Sequence, residues 1–188
     1  MEPIAVQQEG IIFLKKHFNT SEKFGEIEKK VLEVRRAKLE DISEIQRITK
    51  EAFKQYREYA GGDSKIAAME ETYEDIKRDI ETKEVFVALL NGIPVGSVRI
   101  EVFPDKTAYL SRFGVRPDYQ NNGVGKALLD VVDTAMKEMG IKKIYLHTAS
   151  KATPLICCYY KRGFYIDSTT KDRGYIRALL CKEYKEDE

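Results

Sequence analysis

Two short apolar runs separated by Asn91-Gly92 limit the fold of this chain more than any other feature. The runs V-F-V-A-L-L (85–90) and I-P-V-G-S-V-R-I (93–100) are rich in β-branched residues. Asn-Gly supplies the positive φ angles of a two-residue hairpin turn. A third strand-like run follows from about 107 to 115. The sequence therefore predicts three consecutive antiparallel strands in the middle of the chain.

Helical and strand patterns surround this hairpin. Before it, residues 31–36 are typical of a strand, and apolar residues at helical spacing follow from Ile42 to Tyr56. A second helix is predicted from about 66 to 80, with one face formed by Met69, Tyr73, Ile76 and Ile80.

The C-terminal half continues the alternation. After the third strand, the patterns predict in turn a helix ending near Gly140, a strand over 141–148, a helix over about 153–162 and two closing strands. This order predicts an α+β fold, with a mixed, largely antiparallel sheet of about six to seven strands and helices on both faces.

Residues 1–30 have scattered apolar positions without a clean period. We interpret them as an N-terminal extension of uncertain structure, with a short helical element packed on the body as one candidate. Residues 31–188 are interpreted as a single domain.

The overall charge excludes partners that need a strong field. The chain has 32 Lys and Arg against 31 Asp and Glu, a formal net charge of +1, so neither nucleic acid nor a membrane surface is indicated as a partner.

Three cysteines, two of them adjacent, give an odd count without metal-ligand spacing. This favours a reducing compartment. With no signal peptide or long apolar run, we predict a soluble, cytoplasmic protein.

The stretch Q-N-N-G-V-G-K-A (120–127) lies between a predicted strand and a predicted helix. Glycines at a helix start leave backbone N–H groups open to an anion such as phosphate. The stretch is not a P-loop, since Gln120 stands where the first glycine is needed and Ala127 where the hydroxyl is needed. Leu128 also replaces the third glycine of a dinucleotide fingerprint.

The segment V-R-P-D-Y-Q-N-N-G-V-G-K-A-L-L (115–129) resembles the acyl-CoA loop of the GNAT superfamily of N-acyltransferases, and Y-Y-K-R-G-F (159–164) resembles that family's Y-x-x-x-G-F element. The strand order agrees with the family from about Val31 onward. The resemblance implies the GNAT fold, acetyl-CoA as co-substrate, no metal, and acetyl transfer to an amine by direct attack in a ternary complex.

The resemblance also implies which residues bind the co-substrate. The pyrophosphate is expected on the loop and helix start, and the strand end is expected along the cofactor arm, with its N–H groups polarising the thioester carbonyl. The residues concerned are Phe113, Gly114, Val115, Gln120, Asn121, Asn122, Gly123, Val124, Gly125 and Lys126.

Tyr159 occupies the family's tyrosine position, four residues before Gly163. We expect it to contact the cofactor and to give a proton to the departing thiolate. Tyr160 is the adjacent alternative, but successive helical residues point about 100° apart, so only one of the two can face the thioester.

The base that accepts the proton of the amine is left open by the sequence. The family's glutamate position falls on or near Tyr109, with Ser111 next on the same face, and neither is a strong base. His147 lies where some protein-acetylating members have a glutamate, and its ordinary pKa near 6.5 suits a base. Glu101 is the reserve, and a water path is a further alternative.

Three features bear on the family pattern and the substrate. Ala152 stands where many members have a cofactor-contacting asparagine. Cys157 and Cys158 are interpreted as buried helix cysteines and not as nucleophiles. The acidic residues Glu58, Asp63, Glu70 and Glu71 are candidates to attract a cationic amine, although such charges are commonly only solvated.

The acceptor is expected to be a small-molecule or peptide amine. A protein N-terminal or lysyl acetyltransferase and a non-catalytic acyl-CoA-binding regulatory module are the alternatives. Dimers are common among relatives, so a homodimer is a further expectation.

Overall fold

A computed structural model describes residues 12–19, 29–62 and 65–185. Within them the chain forms eight strands, and the sheet order is β1-β2-β3-β4-β5-β6-β8-β7. The strands are β1 Ile12–Asn19, β2 Lys29–Arg36, β3 Glu84–Leu90, β4 Ile93–Val102, β5 Thr107–Val115, β6 Lys143–Ala149, β7 Tyr165–Thr170 and β8 Arg177–Glu183. Four α-helices connect them: α1 Ile42–Tyr59, α2 Tyr73–Thr82, α3 Val124–Glu138 and α4 Thr153–Tyr160.

The sheet is mixed, as predicted, with a single parallel pair, β5 with β6, among the described strands. The central hairpin is also confirmed, since Asn91 and Gly92 have φ angles of 52° and 79°. The expectation of a helical N-terminal element is wrong over 12–19, because β1 pairs antiparallel with β2 and extends the sheet beyond the predicted number of strands. The rest of 1–30, up to residue 28, lies outside the described residues.

Helices cover both faces of the sheet. Helix α3 packs on β2 to β5 from one side, and α1 and α2 pack from the other. The main core lies between α3 and the sheet and includes Leu32, Phe86, Val98, Leu128, Met136, Ile144 and Leu180. A smaller core under α1 and α2 contains Ile42, Ile45, Ile76 and Val85. The apolar stripes of the helices therefore anchor both layers to one sheet.

The predicted second helix begins later than expected. Residues Ala67–Met69 form a short 3-10 turn, and α2 starts only at Tyr73. The Thr72 side chain accepts a hydrogen bond from the Asp75 backbone N–H. The Asp75 side chain in turn accepts a hydrogen bond from the Thr72 backbone N–H. This capping box ends the preceding segment and leaves Tyr73 exposed instead of on the apolar face.

Strands β5 and β6 diverge after a short contact. Their parallel pairing covers only Thr107 to Tyr109 on β5, although β5 continues to Val115 and β6 to Ala149. Against β4, the register shifts where Arg112 has a φ of 52°, which indicates a β-bulge. One edge of β5 is thus without a strand partner, and the sheet opens there.

Candidate active site

A cavity of about 180 Å³ lies where β5 and β6 diverge. Phe53 and Tyr56 of α1 line it from one side of the sheet. Leu155 and Tyr159 line it from α4, which is linked to α3 on the opposite side through ion pairs of Arg162. The cavity therefore passes through the opening in the sheet, as a channel between two substrates would.

Tyr159 is buried, with only 5% of its surface exposed, and it lines this cavity. Its ring packs against Phe113 and Phe164 at centroid distances of 6.3 and 5.5 Å. Its hydroxyl has no hydrogen-bond partner among the described residues, so it is available to a ligand. Burial raises the pKa of Tyr159 well above its ordinary value of 10.

The neighbouring residues of α4 face the other way. Tyr160 is 48% exposed and does not line the cavity. The expectation that Cys157 and Cys158 are buried is wrong, because both are exposed. Since α4 turns Leu155 and Tyr159 inward, the two cysteines between them are rotated toward the surface.

His147 and Tyr109 meet across the divergence of the strands. The Tyr109 hydroxyl and His147 Nδ1 are joined by a hydrogen bond of 2.8 Å, and both residues line the cavity. Burial, and then the charge of Arg177, lower the pKa of His147 below 6.5, so the ring is neutral at neutral pH. A neutral imidazole in this position can accept a proton.

The other base candidates occupy different places. Ser111 lines the cavity, but Glu101 does not. The Glu101 carboxylate is about half exposed and lies 3.6 Å from the Lys83 amine. Of the groups considered from the sequence, the structure brings His147, Tyr109, Ser111 and Tyr159 together and leaves Glu101 outside.

The glycine loop shapes an open helix start. Asn121 and Gly123 have positive φ angles of 61° and 77°. The side-chain amides of Gln120 and Asn122 donate to carbonyl oxygens of Val115 and of Gln120, respectively, and so brace the loop. No side chain caps α3, and a Cβ placed on Gly123 would meet no atom within 4 Å.

The first intrahelical bond of α3 is donated by Ala127 to the Gly123 carbonyl. The backbone N–H groups of Val124, Gly125 and Lys126 therefore have no helical acceptor. Lys126 adds a largely exposed ammonium group, 3.1 Å from Asp130. This is a fitting cradle for a phosphate group.

The strand end before the loop is held close to α1. A Cβ on Gly114 would approach the Ala52 Cβ to 2.8 Å, closer than side chains come. Phe113 lines the cavity, and Gly114 and Val115 continue the free edge of β5 toward the loop. A single continuous stretch of β5 therefore connects the cavity to the glycine loop.

The cavity lining also includes four basic residues that the sequence analysis does not predict: Lys65, Arg112, Arg173 and Arg177. They come from three segments far apart in the chain, so no spacing pattern could have revealed them. Of the acidic residues suggested for the acceptor, Glu58, Glu70 and Glu71 do not line the cavity, and Asp63 lies outside the described residues.

Within 12–19, 29–62 and 65–185, no group of three or more His, Cys, Asp and Glu side chains is placed to hold a metal ion. In the same ranges, no helix combines the length and the apolar character needed to cross a bilayer.

Known proteins resemble this chain in sequence. The model of the acetyltransferase (GNAT) family matches residues 44–164. Spermidine N(1)-acetyltransferase of Thermoplasma acidophilum is 24% identical over 149 residues, which cover 73% of this chain and 91% of that protein. Mycothiol acetyltransferase of Propionibacterium freudenreichii is 38% identical over 65 residues, but the match spans only 20% of its length.

Solved structures share the fold. PaiA N-acetyltransferase of Thermoplasma acidophilum, in complex with coenzyme A, has a TM-score of 0.70 at 21% identity and covers 81% of this chain and 99% of its own. The ribosomal-protein-S18-alanine N-acetyltransferase of Escherichia coli has a TM-score of 0.68 at 17% identity, with 84% and 96% covered. The family match extends over most of the chain, from α1 to Phe164, the last residue of the Y-Y-K-R-G-F segment. This chain belongs to the GNAT acetyltransferase family.

Proposed function

We propose that this protein transfers an acetyl group from acetyl-CoA to a primary amine by direct attack within a ternary complex. The observation that carries the proposal is the meeting of Tyr159, His147 and the free edge of β5 at one cavity. A proton donor, a proton acceptor and backbone N–H groups are the three requirements of acyl transfer to an amine.

The open start of α3 fits the pyrophosphate of the co-substrate. The uncapped N–H groups of Val124–Lys126 and the helix dipole favour an anion, and no side chain fills the space beside Gly123. The edge of β5 from Phe113 to Val115 leads from this cradle to the cavity, so it would hold the arm that carries the acetyl thioester. Tyr159 lines the same cavity and packs against Phe113 of this edge.

Tyr159 would donate a hydrogen bond, and then its proton, to the departing sulfur. Its raised pKa keeps the phenol protonated at every ordinary pH. The same raised pKa would make proton transfer to a thiolate in water unfavourable. A thiolate leaving inside the cavity is desolvated as well, and its own affinity for a proton rises for the same reason.

His147 would accept the proton of the attacking amine. We assign the Nδ1 proton to the hydrogen bond with Tyr109, which leaves the lone pair of Nε2 as the base. Tyr109 then sets the tautomer of the imidazole and is a positioning residue.

We further propose that residues 31–188 form the catalytic domain, with 1–30 as an extension that contributes β1 to the sheet edge. A cytoplasmic location and a homodimer stay predictions.

Calorimetric titration with acetyl-CoA, followed by thiol-release assays on a panel of amines and peptides, tests the function. We expect micromolar binding and release of CoA with one class of amine. Binding of acetyl-CoA without release of CoA on any amine would contradict the enzymatic function and would support a regulatory acyl-CoA-binding module. An absence of binding would refute the cradle at α3.

A further inference from the structure

The cavity that contains His147 has a basic lining. Among the described residues its charged lining consists of Lys65, Arg112, Arg173 and Arg177, and it includes no carboxylate. Lys65 precedes the turn between α1 and α2, Arg112 lies at the bulge of β5, and the other two lie at the β7–β8 connection and the start of β8.

These charges are only partly neutralised by carboxylates outside the lining. Arg112 Nε donates to Glu71 at 2.6 Å, and Arg177 donates to Asp172 at 2.9 Å. Asp172 is itself about half exposed, whereas the Arg177 side chain is 9% exposed. Within the described part of the chain, Arg173 has no ion pair or hydrogen bond. Asp172 also interacts electrostatically with Arg173. The four cationic side chains of the lining are therefore opposed by only two carboxylates with a described interaction, Glu71 and Asp172, and both lie outside the lining.

This basic lining is separate from the proposed phosphate cradle. None of the residues from Val115 to Lys126 lines the cavity. The basic residues line the cavity itself, whereas the cradle begins only after Val115, where β5 ends. The four cations thus line the space in which the acceptor amine would meet the thioester.

We propose that the acceptor is a primary amine that also carries a carboxylate, as an amino acid or a peptide with a free acidic group does. This inference rests on the proposed acetyl transfer and names its acceptor class. A carboxylate would pair with the guanidinium groups, with Arg offering bidentate geometry. The same positive field lowers the proton affinity of the amine and so favours its neutral, attacking form. A polyamine would meet only like charge at this lining. The proposed acceptor therefore differs from spermidine, the acceptor in the name of one relative.

The first experiment compares matched acceptors. Each of the common amino acids is assayed against its own amide, with spermidine as the polycation, at low and high salt. We expect kcat/KM to be about 10-fold or more higher for the carboxylate than for the amide, and expect this ratio to shrink as salt screens the charges. Equal or better use of the amide or of spermidine overturns the proposal while leaving the acetyltransferase function intact.

Variants locate the effect. Arg173→Gln removes an exposed charge that makes no described hydrogen bond or ion pair, and it should bring the carboxylate-to-amide ratio down several-fold. Lys137→Gln, on the exposed surface of α3, is the matched control and should leave the ratio unchanged. An unchanged ratio in Arg173→Gln and in Arg177→Gln contradicts the assignment.

A binding measurement separates this proposal from the function on which it rests. N-acetyl-L-alanine and N-acetyl-L-alaninamide are titrated into the protein saturated with CoA. Tighter binding of the carboxylate, weakened by Arg173→Gln, supports the anion site even if no acceptor releases CoA, in which case acetyl transfer is refuted. Binding of neither compound, or of both equally, overturns the anion site.

Discussion

At the scale of single residues, the hydroxyl of Tyr159 is the group whose removal should separate chemistry from binding. Tyr159→Phe keeps the ring that packs between Phe113 and Phe164 and removes only an oxygen without a described partner. We expect kcat to fall by about 10²-fold or more, because proton donation contributes on that order, and the affinity for acetyl-CoA to change little. Steady-state thiol release and calorimetry measure the two quantities.

The matched control for this substitution is Tyr160→Phe, which alters the adjacent, exposed tyrosine. Its kinetics should equal those of the unmodified protein. Full turnover in Tyr159→Phe would remove that residue from the mechanism.

The pH dependence of the reaction should report His147. Burial and the charge of Arg177 lower its pKa in the folded protein, so the ring stays neutral until the pH falls below the ordinary value of about 6.5. If the neutral ring is the base, protonation of His147 makes kcat/KM decline as the pH falls through the lowered pKa. We expect His147→Gln to lower kcat/KM and to abolish this acid limb in a pH–rate profile.

Tyr109→Phe provides the comparison, because it removes the hydrogen bond to Nδ1 without removing the base. We expect a smaller loss of kcat/KM and a retained acid limb with a displaced midpoint. An acid limb unchanged in His147→Gln would assign the proton acceptor to another group.

The sequence identifies candidate site residues such as Tyr159 and His147 better than it predicts which side chains surround them. The resemblance to the GNAT family indicates Tyr159 through the Y-x-x-x-G-F element, and His147 through a position where some members have a glutamate. The hydrogen bond between His147 and Tyr109 depends on the register of a parallel pair, which joins residues 38 positions apart. The basic lining depends on where three loops and strand ends converge, and no local pattern encodes that convergence.

At the scale of secondary-structure elements, the contact between α1 and β5 rests on Gly114. A methyl group there would lie 2.8 Å from the Ala52 Cβ, and neither group is the end of a flexible side chain. We expect Gly114→Ala to lower the free energy of unfolding by about 1–3 kcal/mol, the usual effect of overpacking. Denaturant-induced unfolding measures the change.

The double variant Gly114→Ala with Ala52→Gly tests the cause. It restores the space but adds a glycine to a helix, which by itself costs about 1 kcal/mol. The double variant should therefore be more stable than the sum of the two single changes predicts. Simple additivity would mean that the close approach is not the source of the loss.

Element boundaries show what local patterns can and cannot predict. The Asn91-Gly92 hairpin can be predicted from the sequence because its turn conformation depends on adjacent residues. The apolar positions Ile66 and Met69 fit a helical period and so predict too early a start for the second helix, whereas the Thr72–Asp75 capping box determines where α2 begins. Strand β1 has no internal signal, since a strand at a sheet edge depends on its partner.

At the scale of the whole molecule, Arg99 ties the sheet to the layer of α2. It is fully buried and donates to Glu71 at 2.8 and 2.9 Å and to Asp79 at 2.7 Å. We expect Arg99→Leu to lower the free energy of unfolding by about 3–5 kcal/mol, because two carboxylates lose their buried partner. The exposed pair of Arg47 with Glu51 is the control, and Arg47→Ala should cost no more than about 1 kcal/mol.

Acid should weaken the same network. Burial alone would raise the pKa of Asp79, but hydrogen bonds from Arg99 and Lys83 outweigh it and lower that pKa below 3.8. The stability that the carboxylate contributes is therefore complete above its ordinary pKa and is lost as the pH falls through the lowered value. The difference in unfolding free energy between the unmodified protein and Asp79→Asn should narrow below about pH 4.

The position of β8 between β6 and β7 has a consequence for how the molecule assembles. Strand β7 precedes β8 in the chain yet touches the rest of the sheet only through it. The two strands must therefore join β6 as a preformed hairpin, or β7 must wait until β8 has docked. In either case Arg173 and Arg177 reach the cavity only once β8 has paired with β6. A chain in which that hairpin has not docked would contain Tyr159 and His147, the proposed proton donor and acceptor, and would still lack two of the basic residues proposed to select the acceptor.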